Sequence, residues 1–401
     1  MKRCLLIILC IMIPLSLVGC TKDKTPSSSD LPSSQSSSGL PSSQSASSSF
    51  SSINTSSVVV NDYKPITYKI AEETDKFYVN GRTMAVSTAD AQNGMLFDHA
   101  GQGLLFTADC EGDVSIDLAL ISEGSEGKDY QLFSVRVDGV ATNVTVNSNS
   151  TETVRTLSVA KDLPRGKHTF AIYRCNEAML GRATLLTVKM NGLAERYVAP
   201  EGQLKMVFLG DSITAGHGSL AVNGAEDQYH NKYRDATCAY AFLCGETLNA
   251  DFHLIARSGM ATTGKPDDTN NANLYYEYYS YERPERVKYD TSKEDVDIYV
   301  ISLGTNDGGW SKKLVKANAT ALVERVRKDH PNAKIIWTYG QMATDYKDVY
   351  SSIIEELGGA ESNLYFYMFS QPNRDGGATH PNAEAHAKHA EELTAFIRSI
   401  L

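Results

Sequence analysis

The chain has no excess of basic residues. Its 401 residues include 38 Lys and Arg against 48 Asp and Glu, which gives a formal net charge of -10 at pH 7. Nucleic-acid-binding proteins gather Lys and Arg against the phosphate backbone, so this balance argues against a nucleic-acid partner. The charge balance does not argue against an uncharged polymer as a partner. At this length the chain has room for two domains.

Cysteine is sparse and shows no metal-binding spacing. Beyond the N-terminal segment the cysteines are Cys110, Cys175, Cys238 and Cys244, and none belongs to a Cys-x-x-Cys pair. The sequence therefore predicts no metal site, and we expect these side chains to act as small apolar fillers. A Cys110–Cys175 disulfide would be compatible with export, but the sequence alone does not establish it.

Long apolar runs are missing except at the N terminus. Lys2 and Arg3 precede an apolar run from Leu5 to Leu15, and a short segment ending in Cys20 follows. This arrangement is typical of a secretory signal. The small residues that end at Cys20 resemble the lipobox of bacterial lipoproteins, which implies cleavage before Cys20 and lipidation of its thiol. A chance cysteine in a signal and an uncleaved anchor are the alternatives.

Serine dominates residues 21–57, where Leu-Pro-Ser-Ser-Gln occurs at position 31 and again at position 40. Such a tract cannot bury enough apolar surface to offset its chain entropy, so we expect a disordered tether. The predicted organisation thus begins with a lipoprotein signal peptide over residues 1–20 and a linker over 21–57. A lipid anchor with this tether would hold the folded part outside the cytoplasm, at the cell membrane.

Residues 58–199 have the pattern of β-strands. Apolar and polar or small residues alternate between Val114 and Leu120, which is the period of a half-buried strand. Asp138-Gly139 follows a second alternating segment and is a hairpin signal. Short strands joined by turns, without a convincing helix, predict an all-β sandwich or jelly roll over this range.

After residue 199, apolar strands alternate with helical patterns. This alternation predicts a parallel sheet covered on both faces, so residues 200–401 should form a three-layer α/β/α domain. The predicted strands are Met206–Leu209, Phe252–Ala256, Val296–Leu303, Lys334–Tyr339 and Leu364–Tyr367. The predicted helices are Tyr240–Leu248, Lys312–His330, Tyr346–Leu357 and Asn382–Ile400.

Four polar segments follow or face the carboxyl ends of these strands. Ser212 lies in Gly-Asp-Ser, Gly259 in Ser-Gly and Asn306 in Gly-Thr-Asn-Asp, each directly after a strand, while His380-Pro opens the last helix. Carboxyl strand ends meet at one edge of a parallel sheet, where α/β folds place their chemistry. A serine nucleophile needs a base and donors for the oxyanion, and these segments supply both.

This order of segments resembles the SGNH hydrolase (GDSL-like esterase) superfamily from about residue 203 to the end. The resemblance implies that Ser212 is the nucleophile and His380 the general base. It also implies an oxyanion hole made of the backbone N–H groups of Ser212 and Gly259 with the Asn306 side-chain amide. This chemistry requires no metal and no organic cofactor.

The β region narrows the resemblance. Arg-Val-Asp-Gly at 136–139, Gly-Lys-His-Thr at 166–169 and Asn-Glu-Ala at 176–178 precede the catalytic segments. In that order they resemble carbohydrate esterase family 2, which couples a jelly roll to an SGNH domain and deacetylates xylan and glucomannan. The resemblance implies a carbohydrate O-acetyl esterase, whose partner is an acetylated plant polysaccharide.

Two alternatives to this function remain. One is another SGNH esterase acting on acetyl groups of cell-wall glycan or on lipid esters, although the catalytic part has no apolar lid-like insertion. The other is a non-catalytic carbohydrate-binding surface lipoprotein, although such a protein need not retain Ser212, Asn306 and His380 together.

The sequence does not decide which group orients His380 as the third catalytic member. Many SGNH enzymes carry Asp three positions before the catalytic His, but Gly377 stands there, and the nearest upstream acid is Asp375. Asp375 could orient His380, or a backbone carbonyl could do so in a Ser–His dyad, as in some members of family 2. We favour the carbonyl.

Four further aromatic side chains have two interpretations each. Trp310, near the predicted rim of the cleft, is either a sugar-stacking platform or a core residue. His217 could act as a base but is predicted to be a loop residue. His386 and His389 lie one turn apart on the last helix, where an exposed face is expected rather than a metal site.

Overall fold

The computed structural model describes residues 63–122, 131–222, 229–264 and 270–401. The predicted signal peptide, the lipidation site Cys20 and the Ser-rich linker lie outside the described residues. None of the helices within the described ranges has the length and apolar character needed to cross a membrane.

The N-terminal part is an antiparallel β domain, as predicted. Its strands are β1 (Pro65–Lys69), β2 (Tyr78–Val79), β3 (Ala85–Ser87), β4 (Asn93–Leu96), β5 (Gly103–Ser122), β6 (Gln131–Val137), β7 (Val140–Val146), β8 (Thr153–Arg174) and β9 (Gly181–Ala194). They pair in the order β3-β4-β9-β5-β8-β6-β7, and β1 and β2 add to β9 and β5. We refer to this part as the β domain.

The long strand β5 organises this domain. Its side chains alternate between buried and more exposed positions, and Val114, Ile116 and Leu118 are completely buried. Register shifts against β8 lie between Cys110 and Ser115, and such bulges bend a strand and increase its twist. Both halves of the bent strand therefore contribute side chains to one apolar core.

The C-terminal part is an α/β domain. Its strands are β10 (Lys205–Gly210), β11 (Asp251–Ala256), β12 (Ile298–Ser302), β13 (Lys334–Tyr339) and β14 (Leu364–Met368). Its helices are α1 (Tyr240–Thr247), α2 (Ala272–Glu277), α3 (Lys312–Asp329), α4 (Lys347–Glu356) and α5 (Ala383–Ile400). The strands are parallel in the order β11-β10-β12-β13-β14.

Alternate residues of β10 face opposite cores. Val207 packs in a cluster with residues of α3 and α4, whereas Phe208 packs in a cluster with residues of α1 and α5. Because side chains alternate across a strand, helices on both sides of the sheet account for a strand that is apolar throughout. The predicted three-layer α/β/α arrangement is confirmed, with element ends within about two residues of the predicted ones.

Buried polar contacts join the two domains. Arg283 of the α/β domain donates to the Asp98 carboxylate of the β domain, with Nε 2.7 Å from Oδ2, and both residues are buried. Burial alone would raise the pKa of Asp98, but the neighbouring Arg283 guanidinium holds it below its usual value. Arg82 of the β domain is also buried and donates to the carbonyl of Tyr276 at 2.9 Å.

The prediction of an exposed face for His386 and His389 is wrong, because both side chains are buried. His386 Nδ1 accepts a hydrogen bond from the backbone N–H of Tyr240 at 3.2 Å. His389 Nε2 lies 2.9 Å from the carbonyl oxygen of Gln371. Partners supplied by distant segments make burial of these polar rings tolerable, and helical spacing alone does not reveal such partners.

None of the four cysteines in the described ranges forms a disulfide. Cys110, Cys175 and Cys244 are buried, in keeping with the expected role as apolar fillers, and Cys238 is half-buried. Cys110 and Cys175 therefore form no disulfide with each other in this structure.

Candidate active site

Ser212 lies in the tight turn that follows β10 at the carboxyl edge of the sheet. Asp211 stabilises this turn, because its carboxylate accepts from the Ile213 N–H at 2.9 Å and its carbonyl from the Ala215 N–H at 3.0 Å. A Cβ atom at Gly210 would lie 2.0 Å from Thr214 Oγ1, so the turn requires glycine there. Burial raises the pKa of Asp211 to about 7.

His380 faces Ser212 directly. Its Nε2 lies 2.7 Å from Ser212 Oγ, although the two residues are 168 positions apart in the chain. Its Nδ1 lies 3.0 Å from the carbonyl oxygen of Ala378. A carbonyl can only accept, so Nδ1 carries the proton and Nε2 is free to accept from the serine hydroxyl. Burial lowers the pKa of His380, which favours the neutral base at pH 7.

The segment that presents the Ala378 carbonyl has an unusual backbone conformation. Ala378 and Thr379 adopt φ values of 50° and 58°, in the left-handed region that residues other than glycine rarely occupy. The preceding Gly377 N–H donates to the carbonyl of Gly218 at 2.9 Å, which ties this segment to the loop after Ser212. Backbone strain of this kind persists only where surrounding contacts enforce it, and it is common at active sites.

Asp375 does not contact the His380 ring. Its side chain is exposed and accepts from Asn373 Nδ2 at 2.7 Å, while its backbone N–H donates to Asn373 Oδ1 at 3.1 Å. The partners of the two imidazole nitrogens are the Ser212 hydroxyl and the Ala378 carbonyl. This geometry agrees with a Ser–His dyad and not with Asp375 as the third member.

Asn306 lies between the turn that contains Ser212 and the loop that contains Gly259. Its Nδ2 donates to the Met260 carbonyl at 3.0 Å and lies 3.5 Å from Asp211 Oδ2. The amide is therefore close both to the Ser212 turn and to the segment that contains Gly259. Gly259 has a φ of 82°, a conformation that favours glycine. The three predicted oxyanion donors thus belong to loops that meet at one edge of the sheet.

Asp307 holds two of these loops together. It is completely buried, and its carboxylate accepts from Thr262 Oγ1 at 2.8 Å, the Thr263 N–H at 2.8 Å and Tyr350 OH at 3.0 Å. These bonds link the Asn306 loop to the segment that follows Gly259. Asp307 therefore stabilises the site and does not face the nucleophile as an acid.

Trp310 is 40% exposed. This exposure is incompatible with the interpretation of Trp310 as a buried core residue. Its backbone is held in place, because its carbonyl accepts from Tyr346 OH at 3.0 Å. An exposed indole on the loop that carries Asn306 is suited to stack against a sugar ring.

Two residues contribute to the site in ways that were not predicted. His217 lies in a loop, as expected, but it is buried, and its ring stacks on His380 with centroids 4.2 Å apart and planes 8° apart. Glu177 comes from the β domain and accepts from Ser258 N and Ser258 Oγ, each at 2.5 Å. Its only sequence signal was the Asn-Glu-Ala segment at 176–178, which carried a resemblance but no assigned role.

The contact between Ser212 and His380 at the carboxyl edge of a parallel sheet is the arrangement expected of an SGNH hydrolase domain. Residues 208–388 match the GDSL-like Lipase/Acylhydrolase family.

Known relatives extend the similarity to the β domain. The chain is 30% identical over 268 residues to the cellulase/esterase CelE of Acetivibrio thermocellus, covering 62% of this chain and 32% of CelE. It is 28% identical over 246 residues to an acetylxylan esterase / glucomannan deacetylase of Cellvibrio japonicus, covering 59% of this chain and 68% of that protein. The matched part of the chain thus spans about a third of CelE.

A solved structure shows the same two-part architecture. A family two carbohydrate esterase from Clostridium thermocellum, in complex with cellohexaose, superposes with a TM-score of 0.68 at 25% identity. The superposition covers 80% of this chain and 98% of that one. The resemblance to carbohydrate esterase family 2 predicted from the sequence is confirmed.

Proposed function

We propose that this chain is a carbohydrate O-acetyl esterase that removes acetyl groups from plant polysaccharides of the xylan or mannan type. The observation that carries the proposal is the 2.7 Å contact between Ser212 Oγ and His380 Nε2. It occurs in a chain whose relatives include an acetylxylan esterase / glucomannan deacetylase.

In the first half of the reaction, Ser212 Oγ would attack the acetyl carbonyl carbon while His380 Nε2 accepts the hydroxyl proton. The resulting tetrahedral oxyanion would receive hydrogen bonds from the N–H groups of Ser212 and Gly259 and from the Asn306 amide. Each such donor contributes about 3 kcal/mol to stabilising the transition state. His380 would then protonate the departing sugar oxygen, which leaves an acetyl group on Ser212.

In the second half, a water molecule would lose a proton to His380 and attack the acetyl-serine carbonyl. The same oxyanion donors would act again, and collapse would release acetate and regenerate the Ser212 hydroxyl. Throughout both steps the Ala378 carbonyl would keep the Nδ1 proton of His380 in place. A neutral carbonyl fixes the tautomer but stabilises the imidazolium less than a carboxylate does.

Trp310 supports a sugar polymer as the substrate. Its exposed ring follows the oxyanion residue Asn306 on the same loop, so a glycan chain could lie against it while an acetyl group enters the site. The flat, apolar face of an aromatic ring is a suitable surface for a sugar ring to pack against.

We also propose that the enzyme is lipid-anchored at the outer side of the cell membrane. The basic start, the apolar run and the lipobox-like end at Cys20 support this location. Cells grown with labelled palmitate should incorporate label into the wild-type protein and not into Cys20→Ser. Equal labelling of both proteins would refute lipidation at this thiol.

Acetate release tests the activity. The full chain should release acetate from acetylated xylan or glucomannan, and Ser212→Ala should lower the rate by at least about a thousandfold. Ser292→Ala is the control. It removes an exposed serine hydroxyl that is distant from Ser212 in the chain, and it should leave the rate unchanged. Absence of acetate release by the wild-type protein, or equal release by Ser212→Ala, would contradict the proposal. Faster release from acetylated peptidoglycan than from both plant polymers would instead favour a cell-wall substrate.

A further inference from the structure

Glu177 is a buried carboxylate that the β domain extends into the α/β domain. It is 1% exposed and lies in the connection between β8 and β9. Its Oε1 accepts from Arg234 at 2.8 Å and from Ser258 Oγ at 2.5 Å, while its Oε2 accepts from Ser258 N at 2.5 Å. Burying an ion pair is costly unless further hydrogen bonds satisfy both groups. Unlike the Asp98–Arg283 pair, Glu177 also binds Ser258, the residue directly before Gly259.

The first consequence of these contacts concerns Gly259. The bonds to Glu177 restrain both the N–H and the hydroxyl of Ser258, and Arg257 NH1 donates to the Ser258 carbonyl at 2.8 Å. The Ser258 carbonyl and the Gly259 N–H belong to one planar trans peptide unit and point in opposite directions. The contacts that fix the direction of the Ser258 carbonyl therefore also fix the direction of the Gly259 N–H. In this scheme that N–H points away from the Ser258 carbonyl, toward the position where the oxyanion would form.

The second consequence concerns the catalytic imidazole. Because the Ser258 hydroxyl proton is donated to Glu177, the hydroxyl oxygen accepts from His217 Nδ1, which lies 3.2 Å away. This bond assigns the Nδ1–H tautomer to His217, and burial keeps its pKa low, so the ring is neutral. The neutral ring stacks flat on His380. It can support the His380 plane without opposing the positive charge that develops there.

We propose that Glu177 is a positioning residue of the esterase site, acting through Ser258 on the Gly259 oxyanion donor and, by way of His217, on His380. The inference rests on the proposed ester hydrolysis and adds that the β domain supplies part of the active-site support. Glu177 touches neither substrate nor reacting atoms in this scheme.

Glu177→Gln tests the proposal because it retains the shape of the side chain but replaces one acceptor oxygen with an NH₂ group. With 4-nitrophenyl acetate as substrate, kcat of the full chain should fall roughly tenfold to a hundredfold, while KM changes less than about threefold. Glu246→Gln is the matched control, since Glu246 forms a partly exposed ion pair with Arg136 across the domains. It should retain kcat within about twofold.

A pH profile separates positioning from general destabilisation. The charged and titratable groups around His380 are Arg234, Glu177, His217 and His386, and the charge of Glu177 raises the pKa of His380. Its neutralisation should therefore move the acid limb of kcat/KM to lower pH, whereas Glu246→Gln should leave the limb in place. A loss of fold alone would lower the active fraction without moving the limb.

Ser258→Ala keeps the test decisive if Glu177→Gln does not fold. It removes the hydroxyl link and leaves no buried charge unpaired, and kcat should fall about threefold to tenfold. The proposal is overturned if folded Glu177→Gln retains kcat within twofold of wild type, or if Ser258→Ala does. A wild-type chain that hydrolyses neither the aryl acetate nor acetylated xylan would instead refute the esterase function itself.

Discussion

Replacement of Asp375 by Asn distinguishes a catalytic dyad from a triad. Asp375 is exposed, and its carboxylate accepts from Asn373, whereas the Nδ1 proton of His380 goes to the Ala378 carbonyl. Asp375→Asn keeps the size of the side chain and removes only its charge and part of its acceptor capacity. If the carbonyl orients His380, this change leaves the tautomer and the position of the imidazole unaltered.

The two mechanisms predict very different magnitudes. In a Ser-His-Asp triad, loss of the orienting carboxylate lowers kcat about 10⁴-fold, which corresponds to about 5.4 kcal/mol of transition-state stabilisation. For the dyad we expect a change of less than about twofold, or about 0.4 kcal/mol. The exposed hydrogen bond between Asn373 and Asp375 should contribute about 1 kcal/mol or less to stability, so the variant should fold.

Initial rates with 4-nitrophenyl acetate and with acetylated xylan measure this difference for wild type, Asp375→Asn and His380→Ala. His380→Ala is the reference for loss of the base and should fall to near the background rate. A loss of a hundredfold or more in folded Asp375→Asn would refute the dyad. It would mean that the segment 373–380 rearranges in the enzyme–substrate complex to bring the carboxylate to the imidazole.

Three further predictions concern the donors, the rim and the base. Asn306→Ala removes one of the proposed oxyanion donors and should lower kcat with the aryl acetate about a hundredfold to a thousandfold, with little change in KM. An unchanged kcat would exclude that role for Asn306. Trp310→Ala should raise KM for acetylated xylan at least about threefold and leave KM for the aryl acetate unchanged, because only the polymer reaches the rim. Since burial lowers the pKa of His380 from its ordinary 6.5, kcat/KM should fall with a midpoint below pH 6.5 as the solution is acidified; a midpoint above 6.5 would contradict it.

The parts of the site that lie at strand ends could be predicted from sequence. Apolar runs such as β10 are buried on both faces, and the turn after such a run has to lie at the carboxyl edge of the sheet. Ser212, Gly259 and Asn306 each follow such a run, which is why their proximity could be predicted from the sequence. The resemblance to a known family then supplied the roles that position alone does not define.

The surroundings of His380 could not be predicted in the same way. Nothing in the sequence distinguishes His217 from an ordinary loop histidine, because its stacking on His380 depends on the path of two loops that are far apart in the chain. The left-handed backbone of Ala378 and Thr379 is equally hidden, since residues other than glycine seldom adopt it. The acceptor of the Nδ1 proton is a backbone carbonyl. Every residue has such a carbonyl, so the amino-acid sequence does not show which one binds His380.

Glu177 and Asp98 are buried carboxylates of the β domain whose ionic partners belong to the α/β domain. The pattern of apolar residues in each domain predicts which of its own side chains are buried. From that pattern alone, a charged residue in a connection between two β-strands is expected to be exposed to solvent. Here Glu177 pairs with Arg234 and Asp98 pairs with Arg283, so each pair joins a β-domain carboxylate to an α/β-domain guanidinium in a buried setting. Separating the domains would leave these four charges without their partners. The bonds from Glu177 to Ser258 would be lost as well, so we infer that the geometry of the Ser258–Gly259 segment depends on the β domain.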